Sequence, residues 1–284
     1  MRKKSVYTLI LILGLLPFHL QAQDISYTQR DSVRTENLLK QFSDKHMPLE
    51  KQILQFGLSF IGTPYIGGTL EKGEREHLIV NLHELDCTTF VETVLALTLT
   101  AQKDSPGFKD FCNNLQKVRY RDGIIDKYTS RLHYFSDWIK NNIEKGFIQE
   151  VTPLKGSLIK DQHINFMSSH ADKYISIAKN KSLLKEIRNQ EERLSKIPIR
   201  YLPKDSLTSV DITQIHDGDI IAITTSIEGL DISHVGLACF QNGELHLLHA
   251  SLGKKQVTIE KSSLDEQLQR YKTQTGIRVL RITK

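Results

Sequence analysis

Three side chains suited to nucleophilic acyl transfer stand out along the chain: a cysteine, Cys87, and two histidines, His234 and His249. Cys87 lies in Asp86-Cys87-Thr88-Thr89-Phe90-Val91-Glu92, where a polar link gives way to a helix-forming run. Phe90, Val91, Val94, Leu95 and Leu97 recur at helical spacing, and Asp86 is placed to cap the first turn. A thiol at a helix N-terminus faces unpaired N–H groups and the positive end of the helix dipole, and both favour a thiolate. The competing reading makes Cys87 a core-filling residue, because free cysteines are among the most buried side chains.

A cysteine nucleophile needs a base beside it and a group that orients the base. Asn242-Gly243, flanked by the β-rich runs 233–240 and 244–251, is a strong hairpin signal. A two-residue turn there sets 241 opposite 244, 239 opposite 246, 236 opposite 249 and 234 opposite 251. His234, Gly236, His249 and Ser251 then share one face, with His246 and Cys239 on the other. This register makes His234 the base and His249 its orienting partner; a three-residue loop would reverse the parity and favour His246. A histidine in the third position leaves the base without a formal negative partner, so any rise in its pKa should be weaker than in an aspartate-oriented triad.

The elements that must position these residues follow from the pattern around them. Residues 23–29 read as an unstructured lead-in. Helices are expected over 33–43 and 49–61, the second opened by Pro48 and ended by Gly62-Thr63-Pro64. A glycine-interrupted loop or short strand over 65–71 and a strand over 78–82 lead to the cysteine helix. Residues 105–199 are charged and helix-favouring, whereas the chain from His216 is β-rich, with further strands expected over 256–261 and 275–283. Helices followed by sheet indicate an α+β domain.

The N-terminus opens Met1-Arg2-Lys3-Lys4, runs apolar over 6–16 and ends in Leu20-Gln21-Ala22, the pattern of a signal peptide over residues 1–22. It implies an exported, most simply periplasmic, protein with no stable membrane anchor after cleavage. Cleavage removes three of the 38 Lys and Arg residues, leaving 35 against 33 acidic ones, so nothing favours a nucleic-acid partner. Three cysteines permit at most one disulfide, and Cys112 could pair with Cys239 while Cys87 stays reduced.

Taken in order, Gly62-Thr63-Pro64-Tyr65 with Gly67-Gly68, Asp86-Cys87, His234-Val235-Gly236 and His249-Ala250-Ser251 resemble the signature of the NlpC/p60 superfamily of papain-like cell-wall cysteine peptidases. Thr88-Thr89 replaces the usual Ser-Gly, and 147 positions separate Cys87 from His234. These departures, with Gly229-Leu230-Asp231-Ile232-Ser233-His234, look like the exported N-acetylmuramoyl-L-alanine amidase-like branch. The resemblance implies a single catalytic domain over 23–284, with N-terminal helices at about 33–61 and a mainly helical insertion at about 105–205. Its core would be papain-like, with the cysteine helix packed on an antiparallel sheet. It further implies Cys87 as nucleophile, His234 as general base, His249 as third polar residue and Tyr65 as a phenol near the sulfur, with no cofactor.

On that reading the substrate is a peptidoglycan fragment, cut between N-acetylmuramic acid and L-Ala. Thr88 marks a specialised pocket. Arg131 and His133 are candidates for gripping a substrate carboxylate or sugar, with Arg131 as an exposed helix-end charge the alternative. Asp231 either orients the hairpin or touches substrate. Competing functions are an endopeptidase cutting after γ-D-Glu and a silent wall-binding module. A zinc site on His246-x-x-His249 is disfavoured, because strand residues three apart point to opposite faces.

Overall fold

A computed structural model describes residues 24–71, 73, 75–207 and 212–283; the expected signal segment lies outside them. The chain starts with a two-residue strand β1 (Ile25–Ser26) and helices α1 (Gln29–Phe42) and α2 (Leu49–Leu58). β2 (Leu78–Ile79) precedes the cysteine helix α3 (Cys87–Ala101), which is followed by α4 (Phe108–Arg119) and α5 (Phe135–Glu144). The insertion continues with β3 (Ile148–Glu150), β4 (Leu158–Lys160), the short helices α6 (Phe166–Ser169) and α7 (Ile175–Ala178), then α8 (Lys181–Ser195) and β5 (Ile199–Pro203). The C-terminal part holds β6 (Ile220–Thr225), β7 (Ile232–Gln241), β8 (Glu244–Ser251), β9 (Gln256–Ile259), α9 (Leu264–Arg270) and β10 (Gln274–Ile282).

Eight strands form one antiparallel sheet in the order β4-β5-β10-β6-β7-β8-β9, with β3 also paired to β10. Alternate residues feed opposite faces. Ile220, Ala222, Val235, Leu237 and Leu248 join the main core with α2 to α5, while Ile221, Ile223, Ala238, Leu247 and Val279 pack with Leu264 and Leu268 of α9. Helix α3 is central: Thr89 to Ala101 are all buried, as expected of a helix with no polar face. Its inward threonines are satisfied within the helix, Thr98 and Thr100 donating to the carbonyls of Val94 at 2.9 Å and Ala96 at 2.7 Å.

Three expectations change. The lead-in is ordered, because Ile25–Ser26 pairs in parallel with Leu78–Ile79, and the strand expected over 78–82 shrinks to those two residues. The insertion is not only helical, since β3, β4 and β5 extend the sheet beyond β10. The helix α9 between the last two strands was not anticipated.

The hairpin adopts the expected register: Gln241 faces Glu244, Cys239 faces His246 and Leu237 faces Leu248. Asn242 and Gly243 both have positive φ, 52° and 86°, as the two-residue turn requires. Toward its other end β7 carries a bulge: Ile223 opposes His234 but Thr224 opposes Ile232, so Ser233 is an extra residue immediately before the histidine. Gly236 allows β7 and β8 to approach, since a Cβ there would sit 2.8 Å from the Leu248 carbonyl oxygen and 2.9 Å from His249 Cβ. Gly236→Ala is therefore expected to cost about 1–3 kcal/mol and to push His249 away from His234; thermal melts and the histidine ring NMR signals would show both effects.

Candidate active site

Cys87 is the first residue of α3. The Thr89 N–H donates to Asp86 Oδ1 at 2.8 Å, and the Asp86 N–H donates to Thr89 Oγ1 at 2.9 Å, closing a capping box. Thr89 thus has a helix-starting role, and Thr88 turns its hydroxyl to the Cys87 sulfur. The 64–66 segment is tied in place from both sides: Tyr65 N–H donates to the Lys255 carbonyl at 2.9 Å and Ile66 N–H to the Leu85 carbonyl at 3.1 Å. This sets Tyr65 beside the thiol, its phenol pushed up to about 12 by burial and then by the charges of Cys87 and Asp86.

The expected thiolate does not form at rest. Burial, followed by the Asp86 carboxylate, pushes the Cys87 thiol up to about 11 and outweighs the Val235 N–H and the Thr88 groups that favour the anion. That Val235 contact places the sulfur one residue along β7 from His234. Burial, then His249, holds the His234 imidazole down to about 3, so it is a neutral base throughout the physiological range. Cys87 and His234 are half-buried and reach solvent, whereas His249 is buried.

His234 Nε2 and His249 Nδ1 are hydrogen-bonded at 2.5 Å, with the rings 4.7 Å apart and nearly perpendicular at 86°. This leaves His234 Nδ1 for the thiol. The sequence reading missed what lies behind: Glu260 Oε1 is 3.1 Å from His249 Nε2 and accepts from Ser251 Oγ at 3.3 Å. The chain of contacts from the base therefore ends on a carboxylate, one residue further out than an aspartate-oriented triad would have it. The signal was present in the β8–β9 pairing, because Thr258 opposes His249 and Glu260 lies two residues on, on the same side. His246 faces away and binds the Glu260 and Ser262 carbonyls through Nδ1 at 3.0 and 3.1 Å, so it does not join His249 at a common site.

The remaining site candidates are engaged within the protein. Arg131 is buried, not an exposed helix-end charge: Nη2 donates to Glu71 Oε1 at 2.8 Å, Nε is 3.1 Å from Glu76 Oε1, and the guanidinium lies 5.0 Å over the Tyr128 ring. His133 lies tilted against the Tyr128 ring and contacts its carbonyl through Nε2 at 2.8 Å; burial, then Arg131, holds the imidazole down to about 3. Asp231 is buried and accepts the Ser136 N–H of α5 at 2.6 Å. Nearby, the Gly229 carbonyl accepts from the N–H groups of Asn165 and Phe166 at 3.1 and 3.0 Å. Asp231 and Gly229 thus fasten the insertion to the start of β7. Tyr65 and Thr88 are the two substrate-binding candidates beside the sulfur.

A helix-borne thiol and a strand-borne imidazole pair, set in a mixed α/β fold with an antiparallel sheet, define the class of protein. The chain belongs to the AmiA-like, N-acetylmuramoyl-L-alanine amidase-like family, whose model matches residues 55–277. A Bacteroides uniformis structure described as an N-acetylmuramoyl-L-alanine amidase is 43% identical, superposes with a TM-score of 0.80, and is matched over 83% of this chain and 99% of its own. A Bacteroides fragilis structure described as a candidate xylanase is 45% identical, with a TM-score of 0.77 over 80% of this chain and 99% of that one. A Legionella pneumophila protein at 22% identity and a TM-score of 0.69 shares the fold. No match was found among curated proteins.

Proposed function

We propose that this protein is an exported, periplasmic cysteine amidase of papain-like, NlpC/p60-type architecture that hydrolyses the amide between N-acetylmuramic acid and L-Ala in peptidoglycan fragments. The observation that carries this reading is the convergence of Cys87, His234 and His249 in a chain of the amidase-like family. As the sulfur attacks the lactyl carbonyl carbon, His234 Nδ1 takes the thiol proton. The oxyanion is held by N–H groups at the start of α3, including that of Cys87. The C–N bond then breaks, and the His234 proton passes to the departing L-Ala nitrogen. Water, deprotonated by His234, resolves the thioester to the lactyl carboxylate and restores the thiol.

Glycoside hydrolysis, the chemistry of a xylanase, calls for two carboxyl groups facing each other across a cleft. Here Asp86 is committed to the helix cap and Glu260 stands behind His249, so the pair is not available at this site. Among the described residues no helix is long and apolar enough to cross a membrane, which agrees with action on wall fragments from the aqueous side.

Incubation with defined muropeptides, followed by mass spectrometry, tests the assignment. Release of a stem peptide with a free L-Ala amine, together with the intact sugar acid, is the expected product pair. Cleavage after γ-D-Glu would replace the amidase by an endopeptidase, and release of xylose oligomers from xylan would overturn the reading altogether.

A further inference from the structure

We propose that Glu260 is a positioning residue of this site, fixing the tautomers of both histidines so that the base nitrogen facing the thiol is unprotonated. The inference rests on the amidase reading for its kinetic consequence, but its structural content stands on the geometry alone.

A carboxylate only accepts, so the contact between Glu260 Oε1 and His249 Nε2 at 3.1 Å requires the proton on Nε2. His249 Nδ1 is then a bare acceptor, and its contact with His234 Nε2 requires that nitrogen to be protonated. His234 Nδ1 is thereby left with its lone pair for the Cys87 proton. Without the carboxylate, His249 is free to protonate on Nδ1, which reverses the donor in the His234–His249 bond and moves the His234 proton onto the nitrogen that must act as base. One carboxylate, two residues removed from the reacting thiol, thus sets the direction of the whole chain.

The carboxylate is itself held. Ser251 donates to the same Oε1 at 3.3 Å, and the His246 ring binds the carbonyls of Glu260 and Ser262 from the other side of β8. His249 faces His234 of β7 and Glu260 at the end of β9, whose charge favours its protonated form against burial. Cys87 of α3, its N-cap Asp86 and Tyr65 of the 64–66 segment stand on the thiol side.

Glu260→Ala, Glu260→Gln and Glu260→Asp, made in the full-length protein, separate acceptor from charge. In ¹⁵N-histidine NMR the wild type should show both rings protonated on Nε2, and Glu260→Ala should lose that preference. In muropeptide hydrolysis, Glu260→Ala should lower kcat about 10- to 100-fold with KM little changed. Glu260→Gln retains an acceptor but loses the charge that favours the protonated pair, so the acid limb of kcat/KM should move to lower pH; Glu260→Asp should keep the wild-type limb. A wild-type His249 protonated on Nδ1, or unchanged tautomers in Glu260→Ala, would overturn the proposal. Wild-type protein that cleaves no muropeptide would defeat the amidase reading, and the NMR would still decide the role of Glu260.

Discussion

Cys87→Ala is expected to lower muropeptide hydrolysis at least about 10⁴-fold, with a melting temperature within about 4 °C of the wild type. The sulfur is the atom that would form the thioester; binding and the N–H groups at the start of α3 cannot substitute for it. The change is structurally mild, because Cys87 is half-buried and the capping box that starts its helix runs between Asp86 and Thr89. Single-turnover assays on purified muropeptide, paired with a thermal melt, measure the two quantities. A variant that keeps more than about a tenth of the wild-type rate would sink the cysteine mechanism, whatever the product.

His234→Ala should reduce kcat/KM by about 10³-fold at neutral pH, within the range for loss of a positioned general base. Its pH dependence is the sharper test. In the wild type the imidazole, held down to about 3, remains a neutral base as pH falls through the ordinary histidine range, so activity should persist below pH 6.5. In the variant the thiol must ionise unaided. With its pKa pushed up to about 11, the thiolate fraction grows about tenfold per pH unit from neutrality upward, and the residual rate should climb with it. A flat profile in the variant would mean that some other group deprotonates Cys87.

Much of this site could be read from local pattern because its parts are local. Asn242-Gly243 admits a two-residue turn, and that turn alone fixes which residues of β7 and β8 share a face. Asp86 likewise announces the start of α3 through backbone groups three residues away. Glu260 was not legible in the same way, because it meets His249 only after a second reversal, at residues 252–255, brings β9 alongside β8. Arg131 and His133 carry groups suited to substrate, but Glu71, Glu76 and Tyr128 occupy them, and the two glutamates reach Arg131 from a distant part of the chain. The strands β3, β4 and β5 are short and two of them are largely exposed, so their sequences lack the alternation that marks a half-buried strand. β3 and β5 pair with β10, which lies at the far end of the chain, and β4 pairs in turn with β5. The balance of dipole against burial at Cys87 was also out of reach, since it depends on how deeply β7 covers the sulfur.

The 147 positions between Cys87 and His234 also order events in time. A chain made from its N-terminus acquires Cys87 long before His234, and Glu260 behind His249 comes later still. The contact between the Cys87 sulfur and β7 joins distant parts of the chain, and such contacts are slow to form. A nascent or half-folded molecule therefore holds a thiol that lacks both the histidine beside it and the β7 cover that buries it. The site is therefore complete only once the C-terminal strands have been made and paired.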